Sequence, residues 1–231
     1  MTPIVLRVPP LLDVDGLLRS TRMPDLPLAR TLLAEQLRSA MVSEDVVAGF
    51  AALPRHCFAP AHRWRSAYMD LSIRAGPAWL IRPRTIARVL DAVPRGPTLR
   101  LLEVGTGNGY QTALLAMLAA EVLTVDVSTR CLAWARPRLR ALGLNNVSFA
   151  WADIVSHGIP DRGFGCVVVT RALARLPQTL TRTLMLEEAV VIAPIRGADG
   201  SQRLIRYSFR DARLLQAVDL GVCAYPEYSS A

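Results

Sequence analysis

The stretch from Leu99 to Ala116, LRLLEVGTGNGYQTALLA, constrains the fold of this chain more than any other. An apolar run ends at Glu103 and Val104, glycines follow at 105, 107 and 109, and apolar residues then recur at helical spacing. The pattern predicts a strand, a tight turn and a helix. Glycine serves where the backbone takes a positive φ or where a ligand touches the main chain, because a Cβ blocks both. The start of a helix just beyond adds free N–H groups and the positive end of a dipole.

Such a turn suits a nucleotide-like ligand, and its spacing selects among them. A dinucleotide fingerprint runs G-x-G-x-x-G. Here the glycines run G-x-G-x-G, with Glu103 two places before the first, which is the S-adenosylmethionine form. The next apolar segment, Glu121 to Asp126, predicts a second strand that ends on a carboxylate about 20 positions past the loop, where it can accept both ribose hydroxyls. A plainer alternative makes the glycines a simple turn and Asp126 a helix cap; Glu103 and Asp126 together weigh against it. Asp153, after a strand ending near Trp151, either accepts the adenine amino group or caps the next turn.

Around this stretch the chain alternates regularly. Helices are expected over 28–41, from Ser43 as N-cap to 53, and over 84–93. Beyond the glycine turn come helix 109–119, strand 121–126, helix 129–142, strands 147–151 and 164–169, helix 175–185 and strand 189–195. Residues 203–209 and 214–224 flank Arg210-Asp211 as an antiparallel hairpin. The expected fold class is α/β, a doubly wound and mostly parallel sheet with an antiparallel C-terminal edge and its ligand outside the carboxyl ends of the strands. Residues 55–70 are expected to be loop-rich with exposed polar and aromatic groups, and 73–83 is the least regular part. Prolines at 3, 9, 10, 24 and 27 make residues 1–28 an arm. The organisation expected is this arm, a substrate-side cap over 29–97, and a cofactor-binding core over 98–231, with 29–231 acting as one domain.

Composition removes other classes. With 52% hydrophobic and 20% charged residues the chain is globular. No apolar run approaches the roughly 20 residues that span a bilayer, and no signal-peptide core is evident, so a cytoplasmic protein with no membrane partner is expected. All 27 cationic residues are arginine and the net charge is +8. The arginines are scattered, which favours a solvated basic surface over a nucleic-acid groove. Cys57, Cys131, Cys166 and Cys223 are far apart, and His56, His62 and His157 have no ligand spacing, so no metal site is expected.

The segment EVGTGNGYQTALLA closely resembles the cofactor signature of protein-L-isoaspartate O-methyltransferases, in which a tyrosine and a glutamine follow the third glycine, here Tyr110 and Gln111. The resemblance extends to Leu53-Pro54-Arg55 with Phe58 and Pro60, to Ala67-Tyr68-Met-Asp70, and to Leu142-Gly143 with Asn146-Val147; it covers about residues 30 to 226. It implies a Rossmann-like class I S-adenosylmethionine-dependent methyltransferase, with Glu103, Gly105, Thr106, Gly107, Asn108, Gly109, Tyr110, Gln111, Asp126, Val127, Asp153 and Ile154 at the cofactor. It implies esterification of an isoaspartyl or aspartyl carboxylate in a peptide or protein; a monomer is expected, though the sequence does not set the oligomeric state. A carboxylate is already a nucleophile, so no catalytic triad is needed.

One departure concerns the acceptor. Where the family has a glycine-rich segment with threonine and serine hydroxyls facing the reacting carboxylate, this chain has Gly76-Pro-Ala-Trp-Leu-Ile-Arg-Pro83, one residue longer. Leu80 or Ile81 takes the serine place and Ala78 or Trp79 the threonine place. The substrate-side candidates are Tyr68, Asp70, Arg74, Trp79, Leu80, Ile81 and Arg82, with Arg74 or Arg82 available to grip a carboxylate. Arg171 stands where the family has a small residue, and Glu187-Glu188 where it has a glycine pair. The altered pocket leaves two alternatives to a repair enzyme: a tailoring methyltransferase for a dedicated peptide, and a cofactor-binding adaptor without catalysis.

Overall fold

A computed structural model describes residues 13–21, 26–185 and 187–228. Its centre is a seven-stranded sheet in the order β5-β4-β3-β6-β7-β8-β9. The strands are β3 (Arg100–Val104), β4 (Glu121–Asp126), β5 (Val147–Trp151), β6 (Cys166–Val169), β7 (Ala189–Arg196), β8 (Gln202–Arg210) and β9 (Arg213–Val222). Pairing is parallel from β5 through β7 and antiparallel at β7-β8 and β8-β9. The chain runs outward from β3 through β4 to β5, then returns to the other side of β3 as β6. The crevice between the carboxyl ends of β3 and β6 is therefore a topological switch point, the usual ligand position in such sheets.

Alternation along the buried strands sends side chains to two cores. On β3, Leu101 packs into one and Leu102 and Val104 into the other; on β6, Val168 and Val167 divide the same way. The larger layer holds α1 (Val14–Thr21), α2 (Pro27–Ser39), α3 (Glu44–Ala52), α4 (Pro83–Ala92), α5 (Tyr110–Ala116) and α6 (Thr129–Ala141). Among the described residues the opposite layer has only α7 (Ile154–His157) and α8 (Gln178–Thr181) as helices.

Four expectations are corrected. Residues 73–83 begin with an antiparallel hairpin, β1 (Ile73–Ala75) and β2 (Ala78–Leu80), in register Ile73↔Leu80, Arg74↔Trp79 and Ala75↔Ala78. Gly76, at φ +58°, opens its two-residue turn and Pro77 follows, as a hairpin with glycine in the first turn position requires. Second, the helix expected over 175–185 shrinks to α8, because Pro177 precedes it and Leu184 is pulled into an extended parallel bridge with Phe164. Third, residues 55–58 are buried, not exposed; they form a 3-10 turn in the larger core. Fourth, part of the N-terminal arm is helical. Asp13 Oδ1 accepts the Gly16 N–H at 2.5 Å at the start of α1, and Leu17 is fully buried. Pro27 opens α2, where its missing N–H costs nothing; Pro3, Pro9, Pro10 and Pro24 lie outside the described residues.

Candidate active site

The glycine turn leaves β3 and is pinned to β4. Gly105 N–H donates to the Val125 carbonyl at 2.7 Å, and Gly107 N–H donates to Asp126 Oδ2 at 2.9 Å. The other Asp126 oxygen accepts the Ser128 N–H at 2.8 Å. Each carboxylate oxygen keeps a lone pair for a ligand hydroxyl. Gly105 sits at φ +102°, and a Cβ there would lie 2.1 Å from Thr170 Oγ1, so no other residue fits. At Gly107 a Cβ would meet only the Ala78 methyl at 3.6 Å, which leaves the main chain open to a ligand.

Above this turn lies a cleft in two parts that share Gly105 and Arg171. One part is walled by Thr106, Gly107, Asn108, Tyr110, Gln111, Thr170 and, opposite, Trp79, Leu80, Ile81, Ile86 and Pro226. The other is walled by Val104, Val125, Asp126, Val127, Ala152, Ile154 and Tyr228. Two buried amides in the first part have spare donors. Asn108 Oδ1 accepts the Tyr110 N–H at 3.1 Å and Gln111 Oε1 accepts the Tyr225 hydroxyl at 3.2 Å. Asn108 Nδ2 and Gln111 Nε2 have no partner among the described residues. Buried donors are nearly always paired, so these two fit a polar ligand that completes them. Together with the open Gly107 backbone, they make the cleft fit S-adenosylmethionine.

Glu103, expected at the cofactor, lies beneath the turn and not in the cleft wall. Its Oε2 accepts hydroxyls from Thr112 at 2.5 Å and Thr124 at 2.7 Å, tying β3 to α5 and β4. Burial pushes its carboxyl up to about 8, against the pull of those two bonds. It is a buried brace whose proton is held well above the usual carboxylate range. Asp153 caps α7 through the Ser156 N–H at 3.0 Å, and the Tyr228 hydroxyl donates to the same oxygen. Gly109, at φ +88°, packs on Ala135 and Leu139 of α6, outside either wall.

The substrate-side candidates divide. Trp79, Leu80 and Ile81 line the cleft. Tyr68 is buried, its hydroxyl 2.6 Å from His56 Nδ1. Arg82 donates to Asp70 at 2.5 Å, and Arg84 N–H donates to the other Asp70 oxygen at 2.9 Å. Partial burial would raise the Asp70 carboxyl, but these donors hold it below the usual range. Arg74 stacks toward the Trp79 ring, 5.9 Å from its centroid, and is exposed. Neither arginine is part of the cleft wall.

Sequence reasoning missed three supports. Arg55, fully buried, donates to the carbonyls of Ala67 at 2.6 Å and Ile81 at 2.7 Å, and lies 4.9 Å from the Tyr110 ring centroid. Burial lowers its guanidinium to about 10 against the pull of Tyr110. It thus braces the acceptor wall against the cofactor turn. The Thr170 hydroxyl lies 2.6 Å from the Gly105 carbonyl, to which it donates. Third, the C-terminal segment straps the cleft: Ala172 N–H donates to the Pro226 carbonyl at 2.9 Å and Tyr228 N–H to the Ala172 carbonyl at 3.0 Å. The proline at 226 and the two aromatics beside it carry no local pattern that places them there.

A switch-point cleft with a glycine turn, a carboxylate at the end of the next strand and unpaired amide donors defines a class I S-adenosylmethionine-dependent methyltransferase. Comparison with known proteins makes this narrower. Residues 29–227 match the family model described as Protein-L-isoaspartate(D-aspartate) O-methyltransferase, and the chain belongs to that family. It is 34% identical over 177 residues to the protein-L-isoaspartate O-methyltransferase of Shewanella woodyi, covering 75% of this chain and 82% of the relative. The namesake from Shewanella amazonensis is 37% identical over 175 residues, 74% of this chain and 82% of that one. Among solved structures, a protein-L-isoaspartate O-methyltransferase superposes with a TM-score of 0.75 at 21% identity, covering 87% of this chain and 66% of that one. A Plasmodium falciparum structure described as a protein-L-isoaspartate O-methyltransferase in complex with S-adenosyl-L-homocysteine gives a TM-score of 0.72 at 16% identity, over 86% and 97% of the two chains. These two likenesses establish the fold. Family membership favours a carboxyl methyltransferase over a non-catalytic adaptor or a dedicated peptide-tailoring enzyme.

Proposed function

We propose that this chain transfers a methyl group from S-adenosylmethionine to the free carboxylate of isoaspartyl residues in peptides or proteins. The observation that carries the reading is the pair of unpartnered buried donors, Asn108 Nδ2 and Gln111 Nε2, beside an open glycine backbone. In this assignment Asp126 accepts the ribose hydroxyls, Val127 and Ile154 flank the base, and Asp153 faces the adenine amino group beside Tyr228. Asn108, Gln111 and the turn from Gly105 to Gly107 hold the amino-acid end. When bound, S-adenosylmethionine supplies a methyl on a positively charged sulfur, which an ionised carboxylate attacks without a general base while the C–S electron pair stays on sulfur. The protein's part is to place that carboxylate in line and keep water away. Trp79, Leu80 and Ile81 give the acceptor side an apolar wall suited to the second task.

We infer further that residues 29–231 act as one domain with 1–28 as an arm, and that the protein works as a cytoplasmic monomer on a peptide or protein substrate. The four cysteines, all buried free thiols, fit a reducing compartment. Among the described residues no helix is long and apolar enough to cross a membrane.

The test is methyl transfer from labelled S-adenosylmethionine to a short isoaspartyl peptide and to the same peptide with normal aspartate. The expected result is base-labile label in the isoaspartyl peptide alone. Cofactor binding with no transfer to the isoaspartyl peptide would overturn the proposal.

A further inference from the structure

The acceptor-side wall is poor in free donors for a carboxylate. Its hairpin contributes Trp79, Leu80 and Ile81, and the nearby Thr170 hydroxyl is spent on the Gly105 carbonyl. Arg82, which follows the hairpin, is held by Asp70. An acceptor carboxylate left without a partner in such a pocket would be held poorly, because a buried charge needs a donor.

Arg171 supplies what the hairpin lacks. It follows β6, its Cγ lies 3.6 Å from where a Cβ on Gly105 would stand, and it lines both parts of the cleft at the seam between them. Half-buried, its guanidinium makes no hydrogen bond or ion pair with any described residue. The two departures from the pattern this sequence resembles thus line the same part of one cleft: apolar groups on the hairpin in place of hydroxyls, and arginine after β6 in place of a small residue.

We propose that Arg171 determines acceptor specificity by gripping the substrate carboxylate, in place of the missing hydroxyls; this rests on the carboxyl methyltransferase reading above. A guanidinium can hold one carboxylate oxygen and leave a lone pair of the other free to attack. Esterification removes the negative charge, so the product loses the contact that held the substrate. Arginine therefore favours both capture and release.

The test pairs R171M with R171K and uses two probes, an isoaspartyl peptide and its isoasparagine counterpart, which carries an amide in place of the carboxylate. Binding of each to enzyme loaded with S-adenosylhomocysteine is measured by calorimetry, alongside KM, kcat and Tm. R171M is expected to weaken the carboxylate peptide roughly 10- to 100-fold and erase its preference over the amide, with cofactor affinity within about two-fold. R171K should recover part of the loss, since a point charge replaces a fork. Weakened S-adenosylhomocysteine binding with unchanged peptide binding would overturn the proposal and assign Arg171 to the cofactor. Peptide binding that ignores both variants would overturn it as well. If the wild type binds the carboxylate peptide selectively but transfers nothing, the reading as a methyltransferase fails while Arg171 keeps its role; if it binds neither probe, both fail.

Discussion

On the cofactor side of the cleft, contacts come from main chain and from small or buried polar groups: the turn at Gly105 and Gly107, the Asp126 carboxylate, the amides of Asn108 and Gln111. On the acceptor side they come from the apolar side chains of a three-residue hairpin strand and its exit, Trp79, Leu80 and Ile81. The first wall carries the glycines, carboxylate and amides of the signature it resembles, Arg171 apart, and the second departs from that resemblance. A backbone cradle tolerates little change, because a Cβ at Gly105 strikes Thr170 whatever the side chain beyond it. A wall made of side chains can be rebuilt without disturbing the sheet. The difference teaches that cofactor use and acceptor choice are separable in this molecule.

The largest effect that could break this separation comes from Gly105→Val. A Cβ 2.1 Å from the Thr170 hydroxyl at φ +102° must displace the turn, and S-adenosylhomocysteine affinity should fall more than about 100-fold by calorimetry. Retained affinity would mean that the cradle gives way more easily than its geometry allows. Asp126→Ala ranks next. It strips the acceptor from Gly107 N–H and Ser128 N–H as well as from a ribose. Cofactor affinity should drop roughly 10- to 100-fold, while the peptide KM at saturating cofactor moves little; a large rise in that KM would show the walls to be coupled.

Glu103→Gln probes the layer beneath the cradle. Folded Glu103 keeps its proton to about 8, whereas its ordinary value is 4.5, so the folded chain binds more protons than the unfolded one between those values. Stability is therefore full below pH 4.5 and declines as pH rises through about 8, by an amount on the order of a few kcal/mol. The glutamine variant, neutral throughout, should lack that decline, and the two melting curves should diverge from about pH 5 to about pH 8 and then run level. Parallel curves would mean that Glu103 is ionised in the folded protein and that the brace carries a charge.

Much of the cradle was legible in the sequence. Positive-φ glycines and a strand-terminal carboxylate are local features, and the alternation of strands and helices is periodic. The direction of Glu103 was not legible, since a carboxylate at a strand end reads the same whether it points at a ligand or at two threonines below. Arg55 reads as a surface cation, yet carbonyl acceptors from Ala67 and Ile81 allow it to be fully buried. The hairpin at 73–80 is too short to show a period, although its Gly-Pro turn was a usable signal. Contacts of the strap at 225–228 join residues far apart in sequence, such as Tyr228 with Asp153, which no window of local pattern captures. The reach of Arg171 into the cleft depends on the same long-range geometry.

The most direct test of separable walls is to restore hydroxyls to one and watch the other. In the double variant Trp79→Thr with Ile81→Ser, KM for an isoaspartyl peptide and affinity for S-adenosylhomocysteine are measured on the same preparation. The account predicts a KM lowered by a few-fold, as one or two hydrogen bonds to a charged group would provide, with cofactor affinity unchanged within about two-fold. Cofactor affinity that falls together with peptide binding would contradict it, and would make the cleft a single unit.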